Sequence, residues 1–216
     1  MFSFVTASYS TFPAWLKFAI AFASSPQLVG SLSPSSRSLQ RRLEIHLAVR
    51  SAVSILELGP GLGETTRALL AGMSAGARLT AVELVPQFVR QLQAIEDPRL
   101  EVIEGSALDV ERFLKRRQAA PPDLVVSGIP FSALSIDEGR ELLGRIHNLL
   151  TPGGVFLTYQ FRNRARRLAD ELFGPSRRTF LPWNLPPLWL DEWRKPAVPT
   201  GHRIVPAVMR RTAERG

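Results

Sequence analysis

The chain contains no cysteine. A disulfide framework, a thiolate nucleophile and every cysteine-based metal site are therefore excluded. Histidine is almost as scarce: His46, His147 and His202 are far apart and lack ligand spacing, so no metal is expected. Charge is missing from residues 1–36 except at Lys17. The apolar stretch there, Phe12 to Ala23, falls short of the ~20 apolar residues that a bilayer-spanning helix needs. Ala21-Phe-Ala-Ser looks like a small-residue cleavage site. A basic n-region is absent, however, and Lys17 falls late, which weighs against a signal peptide.

What remains is a globular composition. Hydrophobic residues make up 45% and charged residues 21% of 216 positions, enough for one domain with a helix-covered sheet. The net charge of +8 is concentrated: residues 161–216 hold twelve Arg or Lys against five Asp or Glu. Such an excess is either a solvated basic face or an attraction to a polyanion, whether nucleic acid or an anionic lipid surface. The N-terminal segment is instead aromatic, with Phe2, Phe4, Tyr9, Phe12, Trp15, Phe18 and Phe22. It suits a helix lying in a membrane interface and suits equally a helix packed over the sheet.

Residues Ile55 to Thr66 read Ile-Leu-Glu-Leu-Gly-Pro-Gly-Leu-Gly-Glu-Thr-Thr, an apolar strand running into glycines at 59, 61 and 63 around Pro60. Glycine gives the positive φ of a sharp turn and lets a ligand lie against bare main chain. Twenty residues after Gly63, at the end of the next apolar run, stands Glu83. An acid there is placed to accept hydrogen bonds from ribose hydroxyls. The spacing is Gly-x-Gly-x-Gly, not the Gly-x-Gly-x-x-Gly of dinucleotide sites, and Glu57 precedes it. An acid at that point suits a cation better than a pyrophosphate.

Alternating strand and helix signals continue along the chain. Strands are predicted at 53–58, 79–83, 100–104, 123–127 and 155–160. Helices are predicted through about residue 49 from caps at Ser35 and Ser36, and at 64–73, from Pro86, into about Arg117, at 136–150 and at 164–173. Two short strands follow. This order implies right-handed crossovers and a doubly wound, mostly parallel α/β sheet. Residues 1–50 form a helical extension in this division, 51–195 the main domain, and 196–216 a basic tail.

Ligands of such sheets bind at the carboxyl ends of the strands. Strand three ends at Gly105-Ser106-Ala107, and strand four at Ser127-Gly128-Ile129-Pro130-Phe131. Pro130 stiffens its loop, which lets the preceding carbonyl point at a nucleophile. Phe131 offers an aromatic face to a cationic amine, although the blander reading is a tight turn with a core phenylalanine. Tyr159, at the end of strand five, is a second positioning candidate.

Glu57-Leu-Gly-Pro-Gly-Leu-Gly resembles motif I of the class I S-adenosylmethionine methyltransferases. The resemblance implies a Rossmann-like fold with a seven-stranded sheet and S-adenosylmethionine as cofactor. It implies that Glu57 faces the cofactor's amino-acid part. Gly59, Pro60, Gly61, Gly63, Glu83, Leu84, Gly105, Ser106, Ala107 and Ser127 complete the cofactor contacts. Ser106 stands where that family usually has an aspartate facing the adenine, so the backbone or Asp109 would contribute there. Ser127, Gly128, Ile129, Pro130, Phe131 and Tyr159 fall on the methyl-acceptor side.

Gly128-Ile-Pro-Phe also resembles the Asn-Ile-Pro-Tyr loop of ribosomal RNA adenine dimethylases, but with glycine in place of the asparagine that holds the adenine amine. A wider resemblance is to bacterial phospholipid N-methyltransferases of the PmtA type. It rests on Pro26-Gln-Leu-Val-Gly-Ser-Leu-Ser-Pro-Ser-Ser-Arg-Ser-Leu, Ser127-Gly-Ile-Pro and Asn184-Leu-Pro-Pro-Leu-Trp. Ser106, the Arg-rich stretch at 162–178 and the tail beyond Trp193 depart from it. It implies methylation of phosphatidylethanolamine or a related aminolipid, and no nucleic-acid partner. The enzyme would be cytoplasmic, held on the inner face of the membrane by a helix at 12–24 and by Arg162, Arg164, Arg166, Arg167, Arg177 and Arg178. RNA adenine methylation is the alternative reading, and a binding protein with a vestigial cofactor site is a third.

Overall fold

The computed structural model describes residues 37–184 and 187–197. The 12–24 helix, most of the Pro26–Leu39 signature, Leu185 and Pro186, and the tail from residue 198 lie outside the described residues.

Seven strands form one sheet in the order β3-β2-β1-β4-β5-β7-β6. They are β1 (Ser54–Leu58), β2 (Arg78–Glu83), β3 (Leu100–Glu104), β4 (Leu124–Ser127), β5 (Val155–Gln160), β6 (Arg177–Leu181) and β7 (Leu188–Arg194). The first five are parallel, while β7 runs antiparallel to both β5 and β6. Every residue of β4 is buried, as expected of a parallel strand covered on both faces. The chain passes outward from β1 through β2 to β3, then returns to β4 on the other side of β1. That reversal opens a crevice at the carboxyl ends of β1 and β4. The register puts Val82, Leu58, Ser127 and Thr158 in one row, so the loops that follow them converge.

The helices are α1 (Arg37–Glu44), α2 (Leu47–Ser51), α3 (Glu64–Gly72), α4 (Pro86–Gln93), α5 (Val110–Arg116), α6 (Ile136–Leu149) and α7 (Arg164–Phe173). Alternating residues of each strand feed two cores. Leu56, Leu58, Val125 and Phe156 meet α5, α6 and α7 on one face. Ile55, Leu124, Val126 and Leu157 meet α1, α2 and α3 on the other. On the first face Trp193 stacks on Phe156 at 5.2 Å between centroids, with Phe173 beyond. The indole N–H of Trp193 donates to Asp170 Oδ1 at 2.8 Å, tying α7 to β7.

The single helix expected through residue 49 is two helices. The chain leaves α1 at Ile45, and His46 starts α2, its Nδ1 accepting from the Ala48 N–H at 3.3 Å. Its other ring nitrogen lies 3.6 Å from Glu192 on β7, between β5 and the edge strand β6. Burial holds the His46 pKa below its ordinary value, ahead of the opposing pull of Glu192. The break takes Leu47 off the Leu39–Leu43 stripe and into solvent. Leu39, Leu43 and Val49 are fully buried, so residues 37–51 share the core of the sheet domain. Helix α6 begins with a capping box, unremarked in the sequence reading: Ser135 Oγ accepts from the Glu138 N–H, and the Glu138 carboxylate accepts from the Ser135 N–H.

Candidate active site

The turn after β1 is built by Gly59, Gly61 and Gly63, with φ of +67°, +60° and +83°. A side chain is strained at each of these angles, which accounts for the triplet. Gly59 is pinned by its N–H to the Val82 carbonyl (2.9 Å), and Gly63 precedes the first turn of α3.

Glu83, at the tip of β2, organises this turn. Its Oε2 accepts from the Gly61 N–H at 2.9 Å, and its Oε1 accepts from the Leu84 and Val85 N–H groups at 2.8 and 2.9 Å. A carboxylate offers about four acceptor positions, so Oε2 keeps one for a ligand hydroxyl. Burial raises the Glu83 pKa, and the three backbone N–H groups counter it.

Glu57 is fully buried two residues before the turn. Thr65 and Thr66, in the first turn of α3, donate their hydroxyls to its two carboxylate oxygens at 2.6 Å each. No ion pair of Glu57 is formed among the described residues. Desolvation pushes its pKa up to about 7, the two threonine hydroxyls opposing and the Glu83 charge adding. A buried acid raised this far by burial is poised for a cationic ligand. The Tyr159 hydroxyl completes the group, 3.5 Å from Thr65 Oγ1. Burial foremost, then the Glu57 charge, raises the phenol pKa, so it stays neutral.

The acceptor-side loop packs directly on the glycine turn. A Cβ at Gly128 would fall 2.4 Å from the Tyr159 hydroxyl and 2.6 Å from the Gly59 carbonyl, so only glycine fits. Ser127 is buried, its Oγ accepting from the Ile129 N–H at 3.3 Å and its carbonyl from Thr158 Oγ1 at 2.9 Å. Two expectations for this loop are corrected. The Ile129 carbonyl, expected to face a nucleophile, accepts from Gln160 Nε2 at 2.9 Å. Phe131, expected to face an amine, is fully buried in a 3₁₀ turn at Phe131–Ala133, because that turn folds its ring into the α6–α7 core.

Gln160 is the residue that sequence reasoning missed. Its amide also accepts from the Phe131 N–H at 3.4 Å, so one side chain clamps both sides of Pro130. The available signal was a polar residue ending an otherwise apolar strand, in line with Thr158.

After β3, Ser106 caps the 3₁₀ turn Ala107–Asp109 by accepting from the Leu108 N–H at 3.2 Å, leaving its O–H proton for a ligand. Asp109 turns to Arg112, 3.5 Å away. Ser106, Ala107 and Leu108 form a narrow crevice with Ile129, Leu134 and Leu142. Gly105 serves packing, with Phe113 filling the space a Cβ would need.

The basic stretch divides into two sets. Arg162, Arg164, Arg167 and Arg177 are exposed. Arg166 pairs with Asp170 at 3.3 Å, and Arg178 lies 3.0 Å from the buried Asp191. The latter is a charge contact without an aligned N–H, and burial raises the Asp191 pKa ahead of the opposing effect of Arg178. Among the described residues no cluster of three or more His, Asp or Glu could hold a metal ion. No described helix is long and apolar enough to cross a membrane.

A methyltransferase domain family matches residues 56–156. Among curated proteins, the chain is 29% identical over 166 residues to an ornithine lipid N-methyltransferase of Singulisphaera acidiphila, covering 74% of this chain and 84% of that one. It is 37% identical over 102 residues to ribosomal RNA small subunit methyltransferase A of Myxococcus xanthus, but spans only 34% of that protein. Among solved structures, the N-methyltransferase NodS of Bradyrhizobium japonicum superimposes with a TM-score of 0.63 at 17% identity, over 76% of this chain and 98% of that one.

Proposed function

We propose that this chain, which carries a methyltransferase domain at residues 56–156, transfers the methyl group of S-adenosylmethionine to the headgroup amine of an aminolipid. Phosphatidylethanolamine and ornithine lipid are the candidates. The observation that carries this reading is the match to an ornithine lipid N-methyltransferase, which covers 74% of this chain and 84% of that one, whereas the chain spans only 34% of the Myxococcus RNA methyltransferase and 52% of its Leifsonia xyli counterpart. The loop after β4 agrees: position 128 holds no amide to accept from a base, and its side-chain space is taken by the Tyr159 hydroxyl.

The residues present fit S-adenosylmethionine. Glu83 would take the ribose, the glycine turn would lie beneath the chain of the cofactor, and Glu57 with Thr65 would meet its ammonium group. Ser106 and the crevice beside it would take the purine. The cofactor supplies a methyl group on a sulfonium, already a strong electrophile, so the protein's part is orientation. Gln160 fixes the Ile129–Phe131 backbone against the glycine turn, which sets where an amine can stand. Tyr159, neutral and wedged between the two loops, holds their spacing. The amine must attack in its neutral form, and a water-poor site favours that form. Ser127, Gly128 and Pro130 shape the loop and do not move protons.

The test supplies labelled S-adenosylmethionine with either mixed-lipid vesicles or purified ribosomal RNA. Label in the chloroform-soluble fraction supports the reading. Label in RNA moves the chain to the adenine methyltransferases, and label in neither removes the activity altogether.

A further inference from the structure

We propose that the β6–β7 hairpin, with Trp183 at its tip, is the element that seats the active-site edge on an anionic lipid bilayer. This rests on the aminolipid reading above.

Topology places the hairpin. Because β7 is antiparallel to β5, its first residues lie beside the last of β5, with Trp189 opposite Gln160 and Leu190 opposite Tyr159. Leu181, ending β6, pairs with Leu188. Residues 182–184, which continue from Leu181, therefore lie beyond Gln160, at the same carboxyl edge as the glycine turn and the Ser127–Phe131 loop.

The side chains there are those of an interfacial anchor. Trp183 is 83% exposed. Asn184 beside it is buried, its amide donating to the Leu181 carbonyl at 3.1 Å, so the turn is held and the indole points outward. Phe180, 48% exposed, packs on Trp189 at 4.7 Å between centroids, and the Arg178 guanidinium lies 3.9 Å from the Trp189 ring. Phe161, the residue after β5, is also exposed and carries the Arg162 guanidinium 5.5 Å from its ring. Tryptophan and phenylalanine favour the headgroup boundary, and each arginine near an anionic surface adds to the attraction.

Charge selects the occupant. Between residues 161 and 184 stand six arginines and two acids, and four of the arginines are exposed. An exposed aromatic tip inside a cationic field complements a layer of anionic headgroups. The glycine turn and the Ser127–Phe131 loop stand at this same carboxyl edge, so a headgroup held at the hairpin lies on the side of the candidate site.

The experiment uses the full chain with vesicles of phosphatidylglycerol and phosphatidylethanolamine, comparing wild type, Trp183→Ala and Trp183→Phe. Sedimentation and methyl transfer are read together, and calorimetry with S-adenosylhomocysteine verifies that each variant is folded. Trp183→Ala should bind vesicles roughly tenfold more weakly, the loss expected from removing one interfacial indole. Its KM for vesicle lipid should rise in parallel, with S-adenosylhomocysteine affinity unchanged and Trp183→Phe close to wild type. Unaltered sedimentation of Trp183→Ala, or no sedimentation of wild type, overturns the proposal. If wild type sediments through Trp183 yet methylates no lipid, the hairpin assignment stands and the aminolipid reading falls.

Discussion

Replacing Glu57 by glutamine should stabilise the ligand-free protein at neutral pH while weakening its hold on S-adenosylhomocysteine. The carboxyl is completely buried, and desolvation pushes its pKa up to about 7 from an ordinary 4.5. At 1.36 kcal/mol per unit, holding it ionised in the fold costs about 3 kcal/mol. The sign follows from linkage. Below the unfolded value both states are protonated and nothing is lost. As pH rises through the folded value, the unfolded chain sheds its proton more readily and the folded state loses stability, fully so above about 7. Glutamine keeps the shape and carries no charge, and the hydroxyls of Thr65 and Thr66 can rotate to meet its amide. Glu57→Gln should therefore gain a little under about 1 kcal/mol at pH 5 and up to about 3 kcal/mol at pH 8, the latter a rise of roughly 6–12 °C in melting temperature. Comparing the wild-type and variant difference at the two pH values cancels the titration of Asp191 and His46, while Glu83, whose charge helps raise Glu57, titrates together with it. Calorimetry with S-adenosylhomocysteine should show at least a tenfold loss of affinity, a cost of about 1.4 kcal/mol. A stability difference identical at pH 5 and pH 8, or an unaltered affinity, would refute the assignment of Glu57 as a charge stored for the cofactor's ammonium.

Four further outcomes follow from the geometry. Gly128→Ala drives a methyl into the Tyr159 hydroxyl and the Gly59 carbonyl; kcat should fall roughly 100-fold, the penalty of displacing reacting groups by about an ångström. Gln160→Met removes the partners of the Ile129 carbonyl and the Phe131 N–H; denaturant midpoints should show a loss of about 1–3 kcal/mol, and kcat should drop while S-adenosylhomocysteine affinity holds. Glu83→Gln sets an amide N–H₂ against backbone donors that now meet a carboxylate; the Kd for S-adenosylhomocysteine should rise roughly tenfold or more. Phe131→Leu should cost about 1–2 kcal/mol of stability with little effect on KM for the amine, separating a core ring from a substrate-facing one.

The turn after β1 and its two acids were legible because local chemistry dictates them. A strand that ends in glycines at 59, 61 and 63 admits few backbones, and an acid at the end of the neighbouring strand lands beside that turn. The acceptor half was misread for reasons of orientation. Nothing local to Ile129-Pro130-Phe131 says that a 3₁₀ turn will rotate the ring of Phe131 into the α6–α7 core, or that the carbonyl before the proline is claimed by Gln160. The break at Ile45–His46 was equally hidden. Leucines at 39, 43 and 47 keep helical spacing, and only the packing of α1 on α3 with the reach of His46 toward Glu192 decides where the helix stops. The antiparallel pair at the end was anticipated as two short strands. Their role at the carboxyl edge depends on β7 lying next to β5, a pairing invisible in the chain itself.

The contact between Gly128 and Tyr159 also constrains how this enzyme could change its trade. An asparagine at 128, as the RNA-directed loop has it, would meet the phenol on one side and the Gly59 carbonyl on the other. Shrinking Tyr159 first would clear only half the obstruction and loosen the spacing of two loops. The glycine and asparagine versions of the loop are thus separated by a valley in which each single step is harmful. Passage between them demands coordinated replacement, so the identity of residue 128 is held in place by its neighbours.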